Sequence, residues 1–346
     1  MSNQTSILQW RRGSYSEVAL PPQHAVVHRI EKTDRTMNQD RRTFDVQPAA
    51  AALGAAVIDC DIRALDPGQF EALHAAWLHH LLLVFPSQHL DAPGLVRFAR
   101  RFGTPVSSSS FHTWSKEEIS AHELLRVPPE ISIISNIKEK GKSVGALGDA
   151  EVAWHSDFSF KERPTAARML LAMELPTEGG STYFLNCHAA YDALPGALKQ
   201  RISGMTIKQD NTYDTAMQLR PNASPAQDIR LSPGASHPII STHPETGRNA
   251  LFLGRRNRAY VNGLSVEESE ALLNELWAHS TQERFVYRHD WSLGDVVVWD
   301  NRCVLHRRDA FSPDLRRILY AAQVEGHRPY EAPDALTRPS HARATA

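Results

Sequence analysis

The chain has 346 residues, 42% hydrophobic and 22% charged, with a formal net charge of −1. This is the composition of an ordinary soluble globular protein, and it offers no global attraction for nucleic acid or an anionic membrane. Three widely separated cysteines, Cys60, Cys187 and Cys303, with no Cys-x-x-Cys pair, argue against a disulfide framework and fit a reducing compartment.

Residues 1–45 are polar, carry Pro21-Pro22 and show no sustained period, so an extended or partly ordered extension is expected there. They lack the apolar stretch of a signal peptide. The longest apolar run, residues 81–85, is far too short to span a bilayer, and the expected location is the cytoplasm. A strand is predicted over 53–59. Asp66-Pro67 then caps a helix whose Phe70, Leu73, Ala76, Trp77 and Leu81 form a buried stripe. Residues 82–85 read as a buried strand, and Asp91 caps a second helix that Phe102-Gly103 closes. Apart from a strand at 131–135, residues 107–151 read as long loops, the kind that serve as lids or binding loops.

The stretch from Ala153 to Phe160, Ala-Trp-His-Ser-Asp-Phe-Ser-Phe, reads as a strand on which His155 and Asp157 leave the same face. Further strands are predicted at 167–173, from Thr182 after the Gly179-Gly180 turn, and at 285–288 and 295–299, the last leading to His306. Helices are predicted at 189–202 and from Ser265 to about His279. Residues 209–236 read as a polar surface excursion, a hairpin turns near Thr246-Gly247, and 334–346 form a loose tail. Many strands with a few outer helices indicate a mainly β protein with a jelly-roll core in a domain spanning 46–333.

His155, Asp157 and His306 together can hold a metal on one face and leave about three positions open, which suits non-haem Fe(II) that must also bind a co-substrate and O2. A lone His-x-Asp pair is equally at home on a surface strand, but the surroundings add more. Thr182 follows His155 by 27 residues, and Arg317 follows His306 by 11.

The segments Trp154-His155-Ser156-Asp157, Leu175-Pro176 through Gly179-Gly180 to Thr182, Trp299-Asp300-Asn301-Arg302 leading to His306, and Arg317 resemble the TauD/TfdA family of Fe(II)- and 2-oxoglutarate-dependent dioxygenases, in order and in spacing. The resemblance covers about residues 46–330. It implies a double-stranded β-helix, cupin-like core and Fe(II), 2-oxoglutarate and O2 as cofactors. It further implies that the far carboxylate of 2-oxoglutarate is held by Arg317 and Thr182. The implied reaction hydroxylates a small, carboxylate-bearing molecule and releases succinate and CO2. Asp300 and Asn301 are expected to brace the His306 loop. Four residues beyond Arg317, where relatives acting on taurine carry arginine, stands Ala321, so taurine is not expected.

His112, Glu151, Phe158 and Arg256 are the candidates for the substrate side. A homo-oligomer, with no nucleic-acid or membrane partner, is expected. Desaturation or isonitrile formation at the same iron, a metal-binding jelly roll without turnover, and a zinc hydrolase remain as alternatives.

Overall fold

The structure, a computed structural model, describes residues 44–107 and 114–337, which lie within one compact unit. The expected N-terminal extension up to residue 43, His112, and the tail from residue 338 lie outside the described residues.

The described chain is mainly β with few helices. Its largest sheet has eight strands in the order Asp45–Pro48, Ala55–Ile58, Leu82–Phe85, Val296–Asp300, Ala167–Glu174, Ile318–Gln323, Ser132–Ser135 and Ala146–Leu147. Pairing is antiparallel except at Ala55–Ile58 with Leu82–Phe85 and at Ser132–Ser135 with Ala146–Leu147. A second, four-stranded sheet runs Val286–His289, Thr182–Asn186, Val304–Arg308, Val152–His155.

The central strands of the large sheet are buried on both faces, and their side chains alternate between two hydrophobic clusters, as the two-residue period of a strand requires. Leu83, Phe85, Met169, Leu171, Val296 and Val298 pack on one side with Leu73, Trp77, Leu95 and Phe98 of the helices Pro67–His80 and Ala92–Phe102. Leu82, Val84, Leu170, Val297, Trp299 and Leu319 pack on the other with Phe184 and Leu305 of the four-stranded sheet. A cavity opens on this second side, lined from both sheets.

The sequence signals for the first two helices act as expected. Asp66 accepts from the Gln69 amide in a capping box, and Asp91 accepts from that of Gly94. The predicted helix over 189–202 is two helices, Cys187–Asp192 and Gly196–Ile202. Pro195 stands between them and has no N–H to continue the ladder. The loops before the strand Val152–His155 hold more structure than expected: a helix Lys116–Ala121 and three two-residue strands. The start of the expected loose tail is anchored, with Ala335 buried and its carbonyl accepting from Asn249. The excursion at 209–236 is largely irregular until Ser236 opens the strand Ser236–Pro238, yet Asp210 is buried at its base between Arg255 and Arg258.

Candidate active site

The strand Val152–His155 stops at His155, short of the predicted residue 160. His155 pairs directly with His306 on Val304–Arg308, and directly opposed residues of an antiparallel pair share a face. The two imidazoles are 4.0 Å apart between centroids. Asp157 lies beyond the strand, so the same-face alternation expected for it does not place its carboxylate. A turn does, and Phe158 at its head adopts a left-handed φ of 56°.

Asn301 clamps that turn. Its Oδ1 accepts from the Asp157 amide at 2.9 Å, and its Nδ2 donates to the carbonyls of Asp157 at 3.0 Å and Thr165 at 2.9 Å. Ser156 Oγ donates to the Asn301 carbonyl at 3.0 Å. The next residue back, Asp300, is fully buried. It accepts from Arg302 Nε at 2.8 Å and Nη2 at 2.6 Å, and meets His243 Nε2 at 2.9 Å. The expected bracing role of Asp300 and Asn301 is thus a set of hydrogen bonds that fixes Asp157 against the loop before His306.

The possible ligand atoms of His155, Asp157 and His306 all lie within 4.8 Å of one another. His155 Nδ1 faces the Ala153 carbonyl at 2.9 Å and so carries the ring proton, which leaves the Nε2 lone pair free. That lone pair meets Asp157 Oδ1 at 3.7 Å, and His306 Nε2 meets Oδ2 at 3.7 Å. Burial, the neighbouring His155 and Arg168 hold His306 well below its ordinary pKa, in its neutral form, against the pull of Asp157. Burial opposes ionisation of Asp157, but the Arg168 guanidinium beside it and the two imidazoles outweigh it and keep the carboxyl below the usual carboxylate range. Two imidazoles and a carboxylate converging in this way fit a divalent cation with nitrogen and oxygen ligands.

Three guanidinium groups line the same cavity. Arg317 is 1% exposed, and its one side-chain hydrogen bond is a 3.4 Å contact from Nη2 to the Gly180 carbonyl. Burial, with repulsion from Arg308, pushes its pKa down to about 9. Gly180 leaves the room for it: a Cβ there would stand 3.2 Å from Arg317 Nε, at a φ of 70° that disfavours other residues. Thr182 is 2% exposed, and its hydroxyl accepts from Trp291 Nε1 at 2.9 Å, which leaves its own proton to donate into the cavity. Arg168 Nε lies 3.2 Å from Asp157 Oδ2, and its Nη1 donates to Gln323. Arg308 is the third.

Sequence reading missed Arg168, Arg308 and Trp291. Arg308 was within reach, since two residues past His306 on a strand is the same face. Arg168 and Trp291 carry no spacing signal.

The substrate-side candidates fare differently. Arg256 pairs with Glu270 and Asn274 of the helix Val266–Ser280 and does not line the cavity. Its neighbours Arg255 and Arg258 face Asp210 as internal struts. Glu151 is exposed and does not line the cavity. Phe158 is half-buried, does not line the cavity either, and has Lys161 Nζ 4.2 Å from its ring centre. Arg316 pairs with exposed Glu174, outside the site as expected.

Against known families, residues 45–323 match the model described as taurine catabolism dioxygenase TauD, TfdA family. The chain belongs to this family. Among TauD/TfdA relatives, it is 32% identical over 299 residues to the (S)-phenoxypropionate/alpha-ketoglutarate-dioxygenase of Delftia acidovorans, covering 82% of this chain and 96% of that one. It is 34% identical over 271 residues to the alpha-ketoglutarate-dependent 2,4-dichlorophenoxyacetate dioxygenase of Burkholderia sp. strain RASC, covering 77% and 88%. A solved TauD/TfdA-like structure, AAD-2 in complex with Mn(II) and N-oxalylglycine, superposes with a TM-score of 0.66 at 27% identity, covering 83% of this chain and 99% of that one.

Proposed function

We propose that this chain is an Fe(II)- and 2-oxoglutarate-dependent dioxygenase that hydroxylates a small organic acid and releases succinate and CO2. The observation that carries the reading is the convergence of His155, Asp157 and His306 beside Arg317, a fully buried guanidinium with Nε unpartnered. A buried cation of this kind asks for an anion, and the fork of an arginine matches a carboxylate. A zinc hydrolase has no use for it.

His155, Asp157 and His306 would hold the ion. Bound there with 2-oxoglutarate, Fe(II) supplies the coupling of O2 to oxidation of an unactivated C–H bond. Arg317 and the Thr182 hydroxyl orient the keto acid by its far carboxylate, and Trp291 fixes the direction of that hydroxyl. Arg168 keeps Asp157 ionised, and Trp299 and Phe184 pack against His306, at 4.7 and 6.2 Å between ring centres, to exclude water from one side.

On the substrate side, Ala321 is buried and offers no charge, so recognition of an acid group falls to other residues. Phe158 with Lys161, and Phe160 with Arg220 at 4.7 Å, form aromatic–cation pairs around the turn that carries Asp157. The named relatives act on aryloxyalkanoic acids, which matches that chemistry. The two sheets flanking the cavity support a double-stranded β-helix core, and three buried free cysteines support a reducing, cytoplasmic setting. The test is O2 uptake with Fe(II) and 2-oxoglutarate across a panel of aryloxyalkanoates, other small acids and sulfonates. Uptake stimulated by an acid, with matching succinate, supports the reading; no stimulation across the panel counts against it.

A further inference from the structure

Arg308 lies two residues beyond His306 and directly across from Thr182 in the antiparallel ladder. It therefore shares the cavity face with both. It is 5% exposed. Its Nη2 is tied to the carbonyls of Leu147, at 3.2 Å, and Ala150, while Nε and Nη1 have no partner. The guanidinium carbons of Arg308 and Arg317 stand 5.3 and 5.9 Å from the ring centre of Phe311, so both cations lean on one phenyl group. The Asp149 carboxylate pulls on Arg308 only from beyond ion-pair distance. Arg168 differs, because it already faces the carboxylate of Asp157. Two adjacent buried cations without an anion are costly in the free protein, and an incoming carboxylate relieves both.

We propose that Arg308 is a specificity-determining residue for the co-substrate, a second guanidinium that receives the far carboxylate of 2-oxoglutarate beside Arg317 and selects a dicarboxylic keto acid over a monocarboxylic one. This rests on the 2-oxoglutarate site assigned above. An ionised carboxylate offers about four lone-pair directions. Arg317 takes two as a fork, the Thr182 hydroxyl takes one, and Arg308 takes the fourth through Nε or Nη1. The tether to Leu147 and Ala150 keeps the group in place before the keto acid arrives.

The test is titration calorimetry of Mn(II)-loaded wild type, Arg308→Gln and Arg308→Lys with 2-oxoglutarate and with 2-oxobutyrate, which lacks the far carboxylate. Loss of one charge-assisted hydrogen bond predicts that Arg308→Gln weakens 2-oxoglutarate by about tenfold or more, with Mn(II) and 2-oxobutyrate affinities held within about twofold. The lysine variant, which keeps the charge but not the fork, should fall between. If Arg308→Gln does not fold, the lysine variant alone carries the comparison by its selective loss. Unchanged 2-oxoglutarate binding, or equal weakening of both keto acids, overturns the proposal while leaving the site assignment intact. A wild type that binds metal but no 2-oxoglutarate overturns both.

Discussion

Two buried clusters in this molecule look alike on paper. His155, Asp157 and His306 form one, and His243, Asp300 and Cys303 form the other; in each, the possible ligand atoms lie within 4.8 Å of one another. Their hydrogen bonds separate them. In the second cluster, Arg302 bonds both oxygens of Asp300, and His243 Nδ1 accepts from the Glu245 and Thr246 amides at 3.3 and 3.1 Å while Nε2 meets Asp300. Burial, and then the charge of Asp300, hold the Cys303 thiol well above its ordinary pKa, so it offers no thiolate. Every strong donor and acceptor there is matched, and no lone pair awaits an ion. In the first cluster, imidazole nitrogens and carboxylate oxygens stand 3.7 Å apart, beyond hydrogen-bond distance. Residue type gathers candidates for a metal site; unsatisfied lone pairs decide among them.

Substitutions should split the clusters in opposite directions. His306→Ala should abolish metal binding and cut turnover by about a thousandfold or more, equivalent to about 4 kcal/mol of transition-state stabilisation. Calorimetric metal titration and O2 uptake check this, and the melting temperature of the metal-free protein should change little. Asp300→Ala should do the reverse at the level of the fold. It strands Arg302 and His243 in the interior and should cost about 3–5 kcal/mol of stability in chemical denaturation. If Asp300→Ala melted normally but lost metal, the division between the clusters would be wrong.

Asn301→Ala joins the two regions, since Asn301 follows Asp300 yet holds Asp157. It should lower metal affinity by about 10–100-fold with a smaller loss of stability, as supports behind metal ligands do. A smaller effect concerns pH. Burial raises the Asp300 pKa, but Arg302 and His243 outweigh it, so the folded value lies below the unfolded one. Such a group stabilises the fold at pH above the unfolded carboxyl value of about 3.9, and that contribution fades as pH falls below it. Asp300→Asn should therefore flatten the acid limb of the stability curve; an unchanged limb would mean that Asp300 is not held ionised by its neighbours.

The sequence made much of this legible, for reasons that differ by element. Capped helices such as Pro67–His80 carry their start signals locally, in Asp66, Pro67 and Gln69. The candidate ligand set was readable because His155, Asp157 and His306 resemble a family pattern. The reason first attached to Asp157, strand alternation, was physically wrong: the chain turns at Phe158, and a long-range clamp from Asn301 sets the carboxylate. No local signal encodes a contact across 144 residues. The same holds for Arg168, which reaches Asp157 from another sheet, and for Trp291, which orients Thr182. Arg256 misled because a run of arginines looks alike in sequence, whereas in the fold Arg255 and Arg258 serve Asp210 and Arg256 serves Glu270.

The central claim is that three side chains, distant along the chain, hold one ferrous ion with a keto acid anchored beside it by Arg317. Anaerobic addition of Fe(II) and then 2-oxoglutarate, followed by visible absorption, tests it most directly. A charge-transfer band that saturates at one keto acid per protein, is lost in His306→Ala and needs much more 2-oxoglutarate in Arg317→Gln is the predicted result. No band in the wild type, or a band untouched by His306→Ala, would contradict the account.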